Sequence, residues 1–255
     1  MTKPSSIDLN ADVGEGTGND AQLIPLVTSV NIACGAHAGG PEEMRAAVSL
    51  AYDFGASIGA HPGFADREHF GRKEIAVTPA EAAALVTSQV AALRAVARAL
   101  GARVGHVKLH GALYNMASRD GALAAAVVEA LCRDPERGQN PLSLVALSGS
   151  VLLQLGRKAG LTVIAEAFAD RSYESDGSLT PRSKQGAVIG DAELAAAQAL
   201  SIARDGRVKA RGGAVVPVEA QTLCLHGDKP ESVAFATRVR RELRMAGIRI
   251  KRPGA

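Results

Sequence analysis

The chain has 255 residues, a length suited to one barrel-sized domain, with 47% hydrophobic and 22% charged residues as in ordinary globular enzymes. Aromatic residues make up only 3%, tryptophan is absent and the formal net charge is +3. This composition argues against a base-stacking nucleic-acid surface, so we expect a small-molecule substrate and no nucleic-acid partner.

Cysteine usage and the N-terminal residues indicate the compartment. Cys34, Cys132 and Cys224 are widely spaced and form no CxxC pair, which argues against a disulfide framework or a zinc knuckle. The first ten residues, MTKPSSIDLN, carry no apolar signal core. No apolar run approaches the roughly 20 residues that span a membrane. We therefore expect a cytoplasmic protein without a membrane partner.

Seven stretches have the period of a β-strand, in which alternate side chains face opposite sides. In the first stretch Asp8, Asn10 and Asp12 share one face, whereas Ile7 and Leu9 share the other. Several of the others have the same polar face and end in a histidine or a charged residue. The predicted strands are residues 7–12, 30–37, 56–61, 105–110, 142–148, 161–167 and 222–226.

Helical patterns alternate with these strands. The sequence Thr78-Pro79-Ala80-Glu81 is a capping box that opens a long alanine-rich helix. Ser118 can cap a helix to about Cys132, and Asp228 can cap the last helix. The predicted helices are residues 41–54, 78–101, 118–132, 150–158, 191–203 and 228–247.

The repeated strand–helix order predicts an α/β fold with a parallel sheet. We favour a closed (β/α) barrel over an open sheet, because central strands of open sheets are apolar on both faces. A polar strand face suits a barrel lumen whose upper layer is the active site. The connections 61–77 and 168–190 are long, as lids and binding loops are. We expect one domain over residues 1–255.

Histidines and carboxylates at strand ends suggest a metal site. Asp12 and Glu15 follow the first strand, at the catalytic rim of a barrel. His37 and His61 end two further strands. Carboxylate and neutral imidazole together suit zinc, iron or manganese, so Asp12, His37 and His61 could bind a divalent metal. No short His-x-x-x-His spacing supports the site, and a lone histidine is more often structural.

The fourth strand brings two further candidates to the same face. Lys108 and His110 are two residues apart, and His106 lies deeper, where a structural role is favoured. A desolvated lysine can hold a carboxylate or an oxyanion, and a histidine can act as a general acid or base. With Asp12 and Glu15, the candidate catalytic residues are therefore Lys108, His110 and Glu166.

Several residues near strand ends are candidates for substrate binding. An arginine fork suits a carboxylate or a phosphate, although Asp170 and Arg171 could instead pair on the surface. Arg72 is a cation on a long loop, suited to an anionic substrate or simply solvated. The candidates are Asn10, Asn31, Arg72, Asp170, Arg171 and His226.

Taken together, these motifs resemble the LamB/YcsF family, in order and over nearly the whole chain from Ile7 to Asp228. Gly40, Lys73 and Leu109 depart from the pattern expected of the family. The resemblance implies a seven-stranded (β/α) barrel of the type shared with glycoside hydrolases and deacetylases. The matching blocks are IDLNADVGEG, VNIACGAHAGG, IGAHPGFADREHFGRK, HVKLHGALYN, EAFADRSYESDGSLTPR and LCLHGD.

The resemblance also implies a reaction: ATP-dependent opening of 5-oxo-L-proline to L-glutamate, with Mg²⁺-ATP as co-substrate and with 5-oxoprolinase subunits B and C. Lys108 and Arg171 could then clamp anions, Asp12 or Glu166 could activate water, and His110 could protonate the leaving nitrogen. Two alternatives stay open, namely a stand-alone metal-dependent amidohydrolase or deacetylase and a non-catalytic substrate-binding subunit. The sequence leaves a tightly bound metal undecided and the oligomeric state open, a homo-oligomer included.

Overall fold

The computed structural model describes residues 6–226 and 231–253, and it contains a closed barrel of seven parallel strands. The barrel order is β1-β2-β3-β4-β5-β6-β9, closed by pairing of β9 with β1, which confirms the expected architecture. The strands are β1 Ser6–Val13, β2 Ser29–Ala33, β3 Ser57–His61, β4 Val104–Lys108, β5 Ser143–Leu147, β6 Val163–Phe168, β7 Arg207–Lys209, β8 Val215–Pro217, β9 Thr222–Leu225 and β10 Arg249–Ile250.

Eight α-helices surround the barrel in the described part of the chain, and a 3₁₀ turn over Ile24–Leu26 follows the first of them. The capping box of Thr78 and Glu81 forms as predicted, and Ser150 and Asp191 cap their helices. The expected cap Asp228 lies outside the described residues. The helices are α1 Asp20–Leu23, α2 Pro41–Asp53, α3 Pro79–Ala99, α4 Gly111–Arg119, α5 Gly121–Cys132, α6 Val151–Lys158, α7 Ala192–Asp205 and α8 Ser232–Met245.

Helix α3 buries one apolar stripe, which includes Val86, Val90 and Leu93. By length and composition alone it would suffice to cross a membrane. This differs from the expectation that no stretch approaches that length. In the fold, α3 packs against α5 and the outside of the barrel, which is the position of a core helix of a (β/α) unit.

Three local predictions were wrong. The helix expected from Ser118 to Cys132 begins at Gly121 and follows a separate helix, α4, and Asp120 caps it by accepting from the backbone N–H groups of Ala122 and Leu123. The Ser118 hydroxyl instead donates to the Tyr114 carbonyl, inside α4. Strand β2 ends at Ala33, short of His37, because Gly35 turns the chain with a φ of 85°.

Short strands outside the barrel were not predicted. Strands β7 and β8 form an antiparallel pair, and β10 adds to the outer end of β1. Two isolated antiparallel bridges, Arg171 with Val188 and Tyr173 with Leu179, fold the long connection after β6 back on itself. This connection is thus an ordered flap beside the carboxyl ends of the strands, where the candidate site lies.

Candidate active site

The deepest polar layer of the lumen is built around Asp8. Its carboxylate accepts hydrogen bonds from the hydroxyls of Thr28 at 2.7 Å, Ser29 at 2.8 Å and Thr222 at 2.5 Å. Burial outweighs these hydrogen bonds and raises the pKa of Asp8. The layer ties β1 to both of its neighbours and forms the floor beneath the site.

A ladder of amides forms the next layer. Asn31 donates to Asn10 Oδ1 at 2.7 Å and to Asp12 Oδ1 at 2.9 Å, and His106 Nε2 lies 2.9 Å from Asn31 Oδ1. The ring of His106 fills the space beside Gly59, where an added Cβ would lie 2.0 Å from His106 Nε2. The amides therefore fix the orientation of Asp12 from below.

Lys108 is the centre of the upper layer and is only 2% exposed. Its Nζ lies 2.9 Å from both Asp12 Oδ1 and Glu166 Oε1, and it donates to Cys224 Sγ at 3.0 Å. Burial favours the neutral amine, but the charges on Asp12 and Glu166 outweigh it and hold the pKa of Lys108 well above its usual value. Lys108 is thus a buried, permanently charged ammonium.

The remaining contacts of Glu166 fix it in place. Oε1 accepts from Asn10 Nδ2 at 3.0 Å, and Oε2 accepts from the Tyr114 hydroxyl at 2.7 Å. Both oxygens are therefore engaged, and the side chain is fully buried. Tyr114, on α4, was not identified from the sequence. The sequence offered one indication of its role: Tyr114 lies four residues after His110, one helical turn further on, so both side chains share a face.

Asp12 contacts the imidazole of His61 through its second oxygen, and His61 in turn contacts His110. Asp12 Oδ2 lies 3.3 Å from His61 Nε2, and His61 Nε2 lies 2.9 Å from His110 Nδ1. Burial acts to raise the pKa of Asp12, but the charges of His61 and Lys108 outweigh it and hold that pKa well below the usual range. Burial also holds the pKa of His110 well below its ordinary value.

His37 and Glu15 lie on the other side of His110. The His37 ring stacks on the ring of His110 at 3.7 Å, and Glu15 Oε1 lies 3.5 Å from His37 Nε2. Burial lowers the pKa of His37 to about 3. The metal site expected from the sequence, Asp12 with His37 and His61, therefore does not form as one group. Asp12 and His61 lie together with His110, whereas His37 lies together with Glu15 and His110.

A cavity of about 230 Å³ opens directly above these groups. Five of the expected catalytic and substrate-binding residues do not line this cavity. Four of them form the layers beneath and beside it, namely Asn10, Glu15, Asn31 and Glu166, and the fifth is Asp170. The loop cations Arg72, Arg171 and Arg182 form its wall. Of the residues expected at the site, those that line it are Asp12, His61, Arg72, Lys108, His110, Arg171 and His226.

Asp170 and Arg171 face different partners and do not form the surface pair considered above. Asp170 lies 2.8 Å from His226 Nδ1, and Arg171 donates to the carbonyls of Thr180 and Ala187. Burial, reinforced by Arg182, lowers the pKa of Arg171 to about 10, so that it stays charged at neutral pH. Arg171 thereby pins the flap while it lines the cavity.

Comparisons with known proteins place this arrangement in a family. Residues 7–255 match the LamB/YcsF family. A relative from Neisseria meningitidis serogroup C, named as the A subunit of 5-oxoprolinase, is 49% identical over 96% of this chain and 98% of its own. The crystal structure of a lactam utilization protein from Thermus thermophilus has a TM-score of 0.87 at 43% identity, covering 96% of this chain and 99% of its own.

A more distant structure supports the fold alone. A T48 deacetylase solved with its substrate has a TM-score of 0.51 at 15% identity, covering 98% of this chain and 88% of its own. The two chains therefore share the barrel fold. With the family match over nearly its full length, the chain belongs to the LamB/YcsF family.

Proposed function

We propose that this chain is the A subunit of a 5-oxoprolinase, which opens the cyclic amide of 5-oxo-L-proline to L-glutamate with hydrolysis of ATP. The observation that carries the proposal is the 49% identity, over nearly both full lengths, to the Neisseria protein of that name. The cavity supports it, because a small volume with an ion-paired floor and an arginine wall suits a small anionic amide. The same reading implies subunits B and C as partners.

The reaction needs an activated amide, because a five-membered lactam is stable toward water. Transfer of a phosphoryl group to the lactam oxygen makes the ring carbon a better electrophile. Water then attacks that carbon, the carbon–nitrogen bond breaks as the nitrogen takes a proton, and a second water releases phosphate. An adjoining cavity of about 450 Å³, which shares Arg171 with the first, offers space for Mg²⁺-ATP.

We assign roles by position in the cavity. Lys108 stabilises the developing negative charge and Asp12 orients the attacking water, while His110, which is neutral, takes a proton from that water and passes it to the leaving nitrogen. Arg72 and Arg171 bind the substrate carboxylate or the phosphate, and His226, held by Asp170, lies at the rim. Asn10, Asn31, Glu15 and Glu166 position the groups that touch substrate.

Two further expectations belong to this proposal. We expect residues 1–255 to belong to one barrel domain, because the residues that the structure describes build a single barrel. We also expect the protein to work in the cytoplasm, where its three free thiols are stable.

The test is glutamate release from 5-oxoproline, with and without ATP, by the chain alone and by the chain mixed with its B and C partners. We expect ATP-dependent release only in the mixture, abolished by Asp12→Asn. The matched control is Asp53→Asn on the exposed face of α2, which should leave the rate unchanged. ATP-independent turnover by the chain alone would favour the stand-alone hydrolase, and release unaffected by Asp12→Asn would favour the non-catalytic subunit.

A further inference from the structure

We infer that Asp12, His61 and His110, flanked by Glu15 and His37, form a binding site for one divalent transition-metal ion of the zinc type. The oxygen of Asp12 and one ring nitrogen from each histidine lie within 4.8 Å of one another, and all three residues are buried. The inference concerns binding by the chain alone and does not rest on the proposed function.

Backbone carbonyls fix the tautomers of both histidines. His61 Nδ1 lies 2.8 Å from the Lys108 carbonyl, and His110 Nε2 lies 2.8 Å from the Phe70 carbonyl. A carbonyl only accepts hydrogen bonds, so these two ring nitrogens carry the protons. When both rings are neutral, His61 Nε2 and His110 Nδ1 therefore carry lone pairs and no proton. These two nitrogen atoms lie 2.9 Å apart.

Two lone pairs at this distance repel unless a proton or a metal cation lies between them. Asp12 Oδ2 adds a negative charge 3.3 Å from the same His61 nitrogen, while Oδ1 is engaged by Lys108. Histidines that bind metal usually donate their other N–H to a carbonyl or carboxylate, which is the arrangement of both rings here. The hydrogen bonds around the three groups thus match those of metal ligands.

The separations also fit a coordination shell. Bonds of about 2.0–2.2 Å in a tetrahedral site place ligand atoms about 3.3–3.6 Å apart. The Asp12–His61 and His110–Glu15 distances of 3.3 and 3.7 Å lie close to the two ends of this range, whereas the 2.9 Å between His61 and His110 is shorter and corresponds to an angle of about 90° at the ion. Two imidazoles and one or two carboxylates suit zinc, iron or manganese better than magnesium or calcium.

His37 provides an independent observation. It is 1% exposed, and neither ring nitrogen has a hydrogen-bond partner in the part of the chain that the structure describes. Its ring lies flat against His110, and its Nε2 lies 3.5 Å from Glu15 Oε1. A buried imidazole without hydrogen bonds is costly, and a bound ion or its water ligand would supply the missing partner.

The backbone at the site is also strained. Phe70, whose carbonyl orients His110, has a φ of 56°, a left-handed conformation that residues other than glycine seldom adopt. Such strain concentrates at functional sites, where the surrounding structure holds it in place. The strained backbone at Phe70 therefore fixes the orientation of His110, one of the proposed metal ligands.

The test uses Zn²⁺ and Co²⁺ as probes on the full chain, stripped with a chelator. We expect calorimetric titration to give one Zn²⁺ per chain, and Co²⁺ to give the intense visible bands of low coordination number. Asp12→Asn and His110→Asn should each weaken Zn²⁺ binding by about 100-fold. His69→Ala, which changes an exposed histidine, should not. Far-ultraviolet circular dichroism establishes that each variant is folded.

Two outcomes would overturn the inference. The first is a wild-type chain that binds no Zn²⁺ and leaves the Co²⁺ spectrum as that of the hydrated ion. The two imidazoles would then share a proton, which nitrogen-15 NMR of the histidine rings would show. The second is Zn²⁺ binding that neither Asp12→Asn nor His110→Asn weakens. Either variant that fails to fold is replaced by His61→Gln, which is judged by the same criterion.

Discussion

Lys108 Nζ and Asp12 Oδ1 meet at 2.9 Å across the barrel lumen, from strands β4 and β1 that have two strands between them. The charge of each group offsets the effect of burial on the other. The pKa of Lys108 is held well above its ordinary value, and the pKa of Asp12 is held well below its ordinary value. Both therefore stay charged from acid to alkaline pH. The cavity is therefore lined by a fixed ammonium and a fixed carboxylate.

Lys108→Met should abolish ring opening and destabilise the fold. The variant leaves Asp12 and Glu166 buried without their cation, and removing one partner of a buried ion pair costs about 3–5 kcal/mol. Urea unfolding measures the stability, and glutamate release by the assembled complex measures the activity. The control is Lys158→Met on the surface of α6. Unchanged stability in Lys108→Met would contradict the described network.

Tyr114→Phe should weaken the site without dismantling it. The variant removes one hydroxyl that donates to Glu166 Oε2 at 2.7 Å, and a hydrogen bond to a charged group contributes about 1.5–3 kcal/mol. We expect that loss in the free energy of unfolding, and a lower kcat because Glu166 positions Lys108. Tyr52→Phe at an exposed position should change neither quantity. Equal effects of the two substitutions would show that the Tyr114 hydroxyl does not hold Glu166 in place.

The sequence predicted the barrel and the lumen face well, for a physical reason. Strand residues alternate between faces, so the polar phase of β1 placed Asp8, Asn10 and Asp12 in the lumen without knowledge of their partners. Parallel strands end at the same rim, so His61 and Lys108 were expected near Asp12. Those predictions needed only local periodicity.

Other features depend on distances that periodicity does not give. His37 lies on an irregular loop, so its pairing with Glu15 and not with Asp12 was set by glycine turns and ring stacking. Tyr114 was missed because the start of α4 depends on Gly111, with a φ of 56°, and not on a side-chain cap. Which imidazole nitrogens carry protons follows only from the carbonyls they contact, here those of Lys108 and Phe70.

His106 should make the fold sensitive to acid. Burial, with the charges of Lys108 and His61, lowers its pKa to about 3 in the folded chain, against roughly 6.5 when unfolded. Between these values the unfolded chain binds the extra proton, so stability rises with pH and is lost as pH falls. Each such group contributes a slope of about 1.4 kcal/mol per pH unit.

The measurement compares wild type with His106→Asn in urea unfolding from pH 4 to 8. The variant should have a slope lower by about 1.4 kcal/mol per pH unit below pH 6.5, since one titrating group is gone. Above pH 7 the two curves should run parallel, whatever their offset, which serves as the internal control. Parallel curves below pH 6 would mean that His106 is already protonated in the folded chain.

Gly59→Ala should be among the most damaging single-methyl changes in this chain, because the added Cβ would lie 2.0 Å from His106 Nε2, well inside van der Waals contact. Neither group can withdraw easily, since Gly59 pairs in register with Asn31 and His106 bonds to the same asparagine. We expect a loss of stability of about 3 kcal/mol or more, or failure to fold. The double variant Gly59→Ala with His106→Ala should be more stable than Gly59→Ala alone, because it removes the clash. Thermal unfolding of the single and double variants measures this coupling between the two positions.

Gly138→Ala, at a position with open space around it, is the control. If Gly59→Ala unfolded at the temperature of the wild type, or the double variant gained nothing over it, His106 would not be packed against β3 as described.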